Sequence, residues 1–453
     1  MDENPDIKRL PIAQAILYSF GYFGVQLIGF SIGQIPQIYY VPENGAAMIA
    51  PATIGGALLA GGYIFGFMSA LGRIVDGVTD PWIGNMSDHL RSRFGRRKPF
   101  LVIGAPLAGL FLVLFTTPPS HEPSHLNILW LAFVYPLFFI FFTAAITPYL
   151  AILPEITRHP KDRLLVTSLQ SAFMILGMFT SVAIVQLIPE KLPFTLAATI
   201  IAVTSTLPFL LVAAFVKIPD DRSVTPRSEK RPSTFSQVKS VLGFRLFSVY
   251  LASIVVFWFG FNMVEISARY VATHLIGSKD SYIIILGLAL GMAALLAPLS
   301  YFLGRKLGKR RSMILMSVLF IILLPCIGFI GKGPFSNHYV SYAIFGLLGI
   351  PLSLLLVIPN SLLSDIIDRN NEETGERREA LFFASQALIN KIGIAISNST
   401  LNFILPIGAV VTAMEAHAVG EAGVRLIGPA AAIFVLIGLL IFLKFPEIEK
   451  KAT

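Results

Sequence analysis

The chain has 453 residues, of which 55% are hydrophobic and 13% charged, and its formal net charge is +9. A soluble domain carries roughly 25% charged residues, so a mean hydropathy of +0.73 excludes a water-soluble globular protein, which would have no polar surface to present. A charge of +9 would suit nucleic acid only if it were gathered on one binding face, and here it is spread over alternate short loops.

Apolar runs of about 18 residues or more read as membrane-spanning helices. In chain order they fall at 12–39, 56–86, 99–116, 127–153, 164–187, 194–216, 245–271, 281–303, 312–330, 339–365, 379–407 and 425–445. This pattern predicts an all-α integral membrane protein of twelve transmembrane helices. The opening MDENPDIKRL is short and mixed in charge, and the first run is too long for a signal peptide core, so helix 1 is expected to remain as an anchor. The one cysteine, Cys326, lies in the ninth run and is expected to make no disulfide.

Most Lys and Arg sit on one set of alternate loops: Lys8 and Arg9, 91–98, 158–163, 217–239, 305–311, 369–378 and the tail 444–451. The opposite loops are read as holding only Lys191, Lys279, Lys332 and Arg425. This is the positive-inside bias. It places both termini in the cytoplasm of a multi-pass protein of the cell membrane.

Residues 217–242, KIPDDRSVTPRSEKRPSTFSQVKSVL, are polar and rich in Pro and Ser, so they read as a solvated linker. The predicted organisation is a six-helix bundle over 1–216, a cytoplasmic linker over 217–242 and a second six-helix bundle over 243–453. The loop SRFGRRKPFLVIG after helix 2 and GRKLGKRRSMILM after helix 8 repeat one signal: a basic residue, a glycine, then a basic cluster entering the next helix. Many secondary transporters are built from such repeats, with the solute bound between them near the midplane. Gly56, Gly61, Gly62, Gly66 and Gly72 in helix 2 read first as close helix packing. Pro106, Pro148, Pro298, Pro351 and Pro359 read as kinks available to a moving bundle.

Ionisable residues inside a bilayer cost at least ~2.5 kcal/mol on insertion scales, so they are functional candidates. Arg73, Asp76 and Asp80 share one face of helix 2. Two carboxylates one turn apart in low dielectric repel unless a cation or proton lies between them. Sodium would take both carboxylates and the Thr79 hydroxyl; a proton would be shared by the acid pair. The structural alternative is an Asp76–Arg73 ion pair, with Asp80 marking the helix end before Pro81. Lys391 is a lone cation in helix 11 and calls for an acid of helix 2 as partner. Glu265 and Arg269 in helix 7 are spaced i, i+4, either to line a cavity or to neutralise each other. Gln26, Asn262, Gln170, Asn360, Gln386 and Asn390 read as interhelical hydrogen-bonding groups. Asp365 and Asp368, with 372–379, form a charged loop that is either a latch against Glu155, Arg158 and Arg163 or a solvated face. Asn398-Ser-Thr matches a glycosylation acceptor but lies within helix 11, so it reads as packing.

The stretch GRIVDGVTDPWIGNMSDHLRSRFGRRKPF (72–100), PYLAILPEIT (148–157) and SDIIDRNNEETGERREALFFASQALINKIG (364–393) together resemble the glycoside–pentoside–hexuronide:cation symporters of the major facilitator superfamily. The resemblance implies the major facilitator fold and cation-coupled transport of a sugar or glycoside. It assigns the cation-site carboxylates to Asp76 and Asp80, the position between them to Thr79, and the helix 4 ligand to Thr143. It assigns the coupling groups to Arg73 and Lys391. Separately, Arg93, Gly95, Arg96, Arg97, Asp365 and Asp368 of the charged loops are expected to form a cytoplasmic gate. The family's charged sugar contacts are replaced: its helix 1 aspartate falls on Gln26, its helix 4 aspartate on Ile146 and its helix 5 arginine on Gln170. Its stacking positions fall on Leu150 and Leu356, with Tyr149 adjacent. The implied solute is therefore a glycoside read by Gln26, Tyr149, Gln170, Glu265 and Arg269, or a more amphipathic molecule. Plant sucrose transporters share the S-R-F-G-R-R loop, and a related animal branch moves lysophospholipids.

Two other readings compete with symport. One is a facilitator or carrier of an amphipathic solute such as a lysolipid. The other is a membrane prenyl transferase, since D-x-x-x-D also holds magnesium diphosphates; it lacks a second facing acidic cluster, and no phosphate loop or histidine constellation accompanies it. No organic cofactor and no nucleic-acid partner are expected, the coupling ion is Na+ or H+, and the protein is expected to be a monomer.

Overall fold

The computed structural model describes residues 9–42, 48–49, 52–54, 57–59, 61–90, 92–157, 160–188, 191–218, 241–374, 379–409 and 419–446. The predicted linker thus lies almost wholly outside the described residues, as do Arg158, Arg377, Arg378 and His417. Among the described residues the chain forms twelve long α-helices in two compact units, one up to Arg231 and one from Pro232 onward.

The first unit holds α1 (Ile12–Tyr40), α2 (Gly61–His89), α3 (Lys98–Leu114), α4 (Leu126–Ile156), α5 (Pro160–Gln186) and α6 (Phe194–Phe215). The second holds α7 (Arg245–Tyr270), α8 (Ser281–Lys306), α9 (Lys309–Leu323), α10 (His338–Thr374), α11 (Glu379–Ile404) and α12 (Glu421–Phe442). Among the described residues nine helices are long and apolar enough to cross a membrane: α1, α4 to α10 and α12, with α9 counted together with the turns that follow it. α3 is shorter, and α2, which carries Arg73, Asp76 and Asp80, is not among the nine.

The units repeat one packing scheme. In the first, α1 lies on α5 and α6, α2 on α4, and α3 on α4 and α6. In the second, α7 lies on α11 and α12, α8 on α10, and α9 on α10 and α12. Apolar side chains such as Leu295, Val203 and Ile322 remain exposed, as expected where lipid is the solvent.

Three boundaries differ from the sequence pattern. The second run was expected to be helical from residue 56, but α2 starts at Gly61, and Ala52–Ile54 pairs antiparallel with Ala57–Leu59. Glycine-rich sequence gives little support to a helix there, and Thr53 and Ile54 suit an extended strand. This hairpin is the one departure from an all-helical chain among the described residues. The ninth run breaks at Leu323, where Pro325 cannot continue an α-helix and a 3-10 turn, Leu324–Phe329, takes over and carries Cys326. Arg425 belongs to α12 and not to a loop: it pairs with Glu421 at 2.7 Å and donates to the Gly328 and Ile330 carbonyls.

Candidate functional site

Pro81 does not end α2, which continues to His89, so Asp80 is an interior residue and not a helix terminus. Pro at this position removes one backbone donor, a loss a buried helix tolerates when neighbouring groups compensate. Asp76 is buried, with 1% of its surface exposed, and Asp80 is half-buried one turn along. α4 presents two threonines at the same four-residue spacing. Thr143 Oγ1 donates to Asp76 Oδ1 at 2.7 Å, and Thr147 Oγ1 donates to Asp80 Oδ1 at 3.1 Å. Acid and hydroxyl therefore form two rungs between parallel faces of α2 and α4.

Gly72 allows this approach. A Cβ there would lie 2.8 Å from Tyr135 Cδ1 and 2.9 Å from Phe139 Cδ2 on α4, so the position admits no side chain without displacing a ring. The guanidinium of Arg73 stands 4.9 Å from the centre of the Phe139 ring, a cation–π distance. Thr79 is turned onto its own helix, donating to the Val75 carbonyl at 2.9 Å.

The donors gathered here are carboxylate and hydroxyl oxygens. Hydroxyls that donate to a carboxylate keep lone pairs for a cation. An all-oxygen set suits a hard cation and not a soft transition metal. Among the described residues no three His, Cys, Asp or Glu gather as a metal cluster elsewhere.

The expected solute residues are distributed differently. Tyr149 is fully buried in the first unit. Its hydroxyl donates to the Tyr18 carbonyl at 2.8 Å, the Tyr18 hydroxyl donates to the Tyr149 carbonyl at 3.0 Å, and the rings stack at 4.8 Å. Gln170 of α5 donates to the Tyr149 hydroxyl at 3.3 Å. Tyr149 and Gln170 are thus joined in one α1–α4–α5 network whose polar atoms are already engaged. Gln26, about two turns beyond Tyr18, is half-buried against α5, where a Cβ on Gly177 would lie 3.2 Å from the Gln26 Cβ. Glu265 is half-buried and Arg269 fully buried near the end of α7, just before a π-helical turn, Val271–Ile276. Lys391 is half-buried in the middle of α11.

The residues expected as a gate sort into a latch in each unit. Gly95 takes φ +86° and turns the chain so that Arg96 and Arg97 both reach Glu155 at the end of α4. Arg97 Nε donates to Glu155 Oε1 at 2.8 Å, and its Nη2 lies 3.1 Å from Asp88. Arg93 instead lies over the Phe94 ring at 4.7 Å. In the second unit Gly308 takes φ +84°, Lys309 pairs with Asp365 of α10 at 2.6 Å, and Asp368 is exposed.

Residues 17–446 match the family model described as MFS/sugar transport protein. The chain belongs to that family. It is therefore a multi-pass membrane transporter and not an enzyme, and the prenyl transferase reading falls away. The transporter is 22% identical to the sodium-dependent lysophosphatidylcholine symporter 1-B of Danio rerio over 491 residues, covering 98% of this chain and 88% of that one. It is 24% identical to the isoprimeverose transporter of Lactiplantibacillus pentosus over 403 residues, covering 86% of this chain and 82% of that one. Its fold is that of the crystallised nucleoside transporter NupG, with a TM-score of 0.63 at 11% identity over 96% of this chain and 99% of the other.

Sequence reading of the transporter found both acids but missed Thr147. The signal was present: T-x-x-x-T at 143–147 in helix 4 has the spacing of D-x-x-x-D at 76–80 in helix 2. Nothing local says that those two faces meet.

Proposed function

We propose that this transporter is a symporter in which Na+ or H+, held at Asp76 and Asp80, drives uptake of a sugar or glycoside by alternating access. The observation that carries the reading is the paired ladder of Thr143 on Asp76 and Thr147 on Asp80. Two ionisable acids are retained one turn apart within α2 at a cost that a merely structural role does not require, and their partners are hydroxyls that can share a cation. Thr79 joins them when its hydroxyl turns from the Val75 carbonyl. Arg73 and Lys391 act as coupling charges that respond to loading of the acids. Gln26 in the first unit and Glu265 and Arg269 in the second are the solute contacts, with Gln170 and Tyr149 bracing the first unit through their α1–α4–α5 network. A neutral glycoside agrees with the loss of charged groups at Gln26, Ile146 and Gln170, and with the printed substrate of the isoprimeverose relative. The basic loops favour a cell membrane location with both termini in the cytoplasm.

The lysophosphatidylcholine relative supports a second reading, an amphipathic solute carried by the same machinery. Purified transporter in liposomes separates the two. Uptake of labelled glycosides and of lysolipids is recorded under sodium and proton gradients, wild type beside Asp80→Asn. Concentrative uptake of a glycoside that vanishes in the variant is expected. Full accumulation in Asp80→Asn would refute coupling at this acid pair, and accumulation of the lysolipid alone would replace the solute class.

A further inference from the structure

The loop between α2 and α3 and the end of α6 enclose a cavity of about 460 Å³. One wall is 93–98, with Arg93, Arg96, Arg97 and Lys98; the other is Ala213, Ala214 and Ile218. The charge is not balanced. Arg96 and Arg97 are matched by Glu155 and Asp88. Arg93 lies over the Phe94 ring, and among the described residues neither Arg93 nor Lys98 has an ion pair. Two cations without an ion pair among the described residues thus line one cavity whose far wall is apolar.

The surroundings indicate what would enter. The cavity lies where α3 and α6, which pack together, meet the basic loop. Beside it these helices expose Val102, Ile103, Phe215 and Leu207, a surface suited to hydrocarbon. Lys217, exposed just past α6, adds a further positive charge at the same end. A ligand with an anionic head and an apolar tail satisfies both regions, whereas a small soluble anion would leave the apolar wall uncovered. Basic pockets between helices at the membrane surface take anionic lipid headgroups by this complementarity.

We infer that this cavity binds the phosphate of an anionic phospholipid headgroup, held by Arg93 and Lys98, with the acyl chains lying along the exposed faces of α3 and α6. The ligand is distinct from the transported solute, and the inference does not depend on cation coupling. A phosphate oxygen between the two side chains would engage the same loop that carries the Arg96 and Arg97 latch, so lipid and latch would act on one loop.

The test measures lipid retention by the full-length protein using native mass spectrometry, with phosphatidylglycerol and phosphatidylcholine supplied in equal amounts in detergent. A Lys or Arg that reaches the headgroup contributes about a fivefold preference for anionic lipid, so Arg93→Gln/Lys98→Gln should lower phosphatidylglycerol retention about 25-fold relative to phosphatidylcholine. Lys306→Gln/Arg311→Gln, the same loss of charge on exposed residues of the second unit, should leave it unchanged, and Arg93→Lys/Lys98→Arg should restore it. Equal loss in both Gln pairs would overturn the inference by showing a diffuse charge effect. Unchanged retention in Arg93→Gln/Lys98→Gln would overturn it directly. Displacement of the lipid by millimolar inorganic phosphate would also overturn it, assigning the cavity to a soluble phosphate.

Discussion

In the first unit Tyr18 of α1 donates to a backbone carbonyl of α4, and Gln170 of α5 joins the cluster. In the second, Tyr250 of α7 donates to the Pro359 carbonyl of α10 at 3.0 Å and contacts Gln386 of α11 at 3.0 Å. The latches match as well, with Gly95 and Gly308 both at positive φ and a basic residue after each glycine reaching an acid of the unit's fourth helix. α2 and α8 do not match. α8 carries no carboxylate, and its only charges are Arg305 and Lys306 at its end. Its contact with α10 includes Ser300 to Ser353 at 2.6 Å, a neutral pair on helices that correspond to α2 and α4. The scaffold is duplicated, while the paired acid–threonine ladder is confined to one copy. A repeated framework can hold a single charged site because backbone packing and side-chain charge are set by different residues of the same helix.

The comparison can be broken most severely at the latches. Glu155 answers two arginines and is only 15% exposed, whereas Asp365 answers one lysine and both partners are partly exposed. Removing one partner of a buried ion pair destabilises by about 3 kcal/mol or more, against about 1 kcal/mol for an exposed pair. Glu155→Gln should therefore lower the unfolding midpoint in detergent well below that of Asp365→Asn. Equal losses would mean that burial does not distinguish the latches.

The next effect lies within the acid ladder. A hydrogen bond to a charged group is worth about 1.5–3 kcal/mol, or roughly 10- to 100-fold in an equilibrium constant. Thr143→Val should raise the cation concentration for half-maximal uptake within that range, and Thr147→Val less, since its bond is longer and its acid less buried. The reverse order would make Asp80 the principal cation group. The smallest effects test the duplication itself. Tyr18→Phe and Tyr250→Phe should each lower stability by about 1 kcal/mol, read as similar shifts in the unfolding midpoint. A large loss in one alone would show that the units do not share this contact energetically.

Much of the architecture was legible from local pattern. Hydropathy over windows of helix length located every long helix, because a bilayer leaves the backbone few alternatives. The four-residue spacing of Asp76 and Asp80 marked one helix face without any tertiary information. Tyr149 shows where such reading stops. Its position beside a family stacking site suggested contact with solute, yet its ring is packed on Tyr18, 131 residues away in sequence. Gly72 shows the opposite: its reading as a packing glycine agrees with the Tyr135 and Phe139 rings that face it.

Composition and periodicity by themselves determined that this chain enters a membrane, where its helices run, that its basic loops alternate, and that two acids share a helical face. Those properties are local, fixed by residues within a few turns of one another. Tertiary structure alone decided that Thr143 and Thr147 meet those acids from 67 residues away, that Glu155 and Asp365 close the two basic loops, and that Arg93 and Lys98 face an apolar wall on α6. A polar group in an apolar medium must find a partner, but which partner it finds depends on how the helices pack.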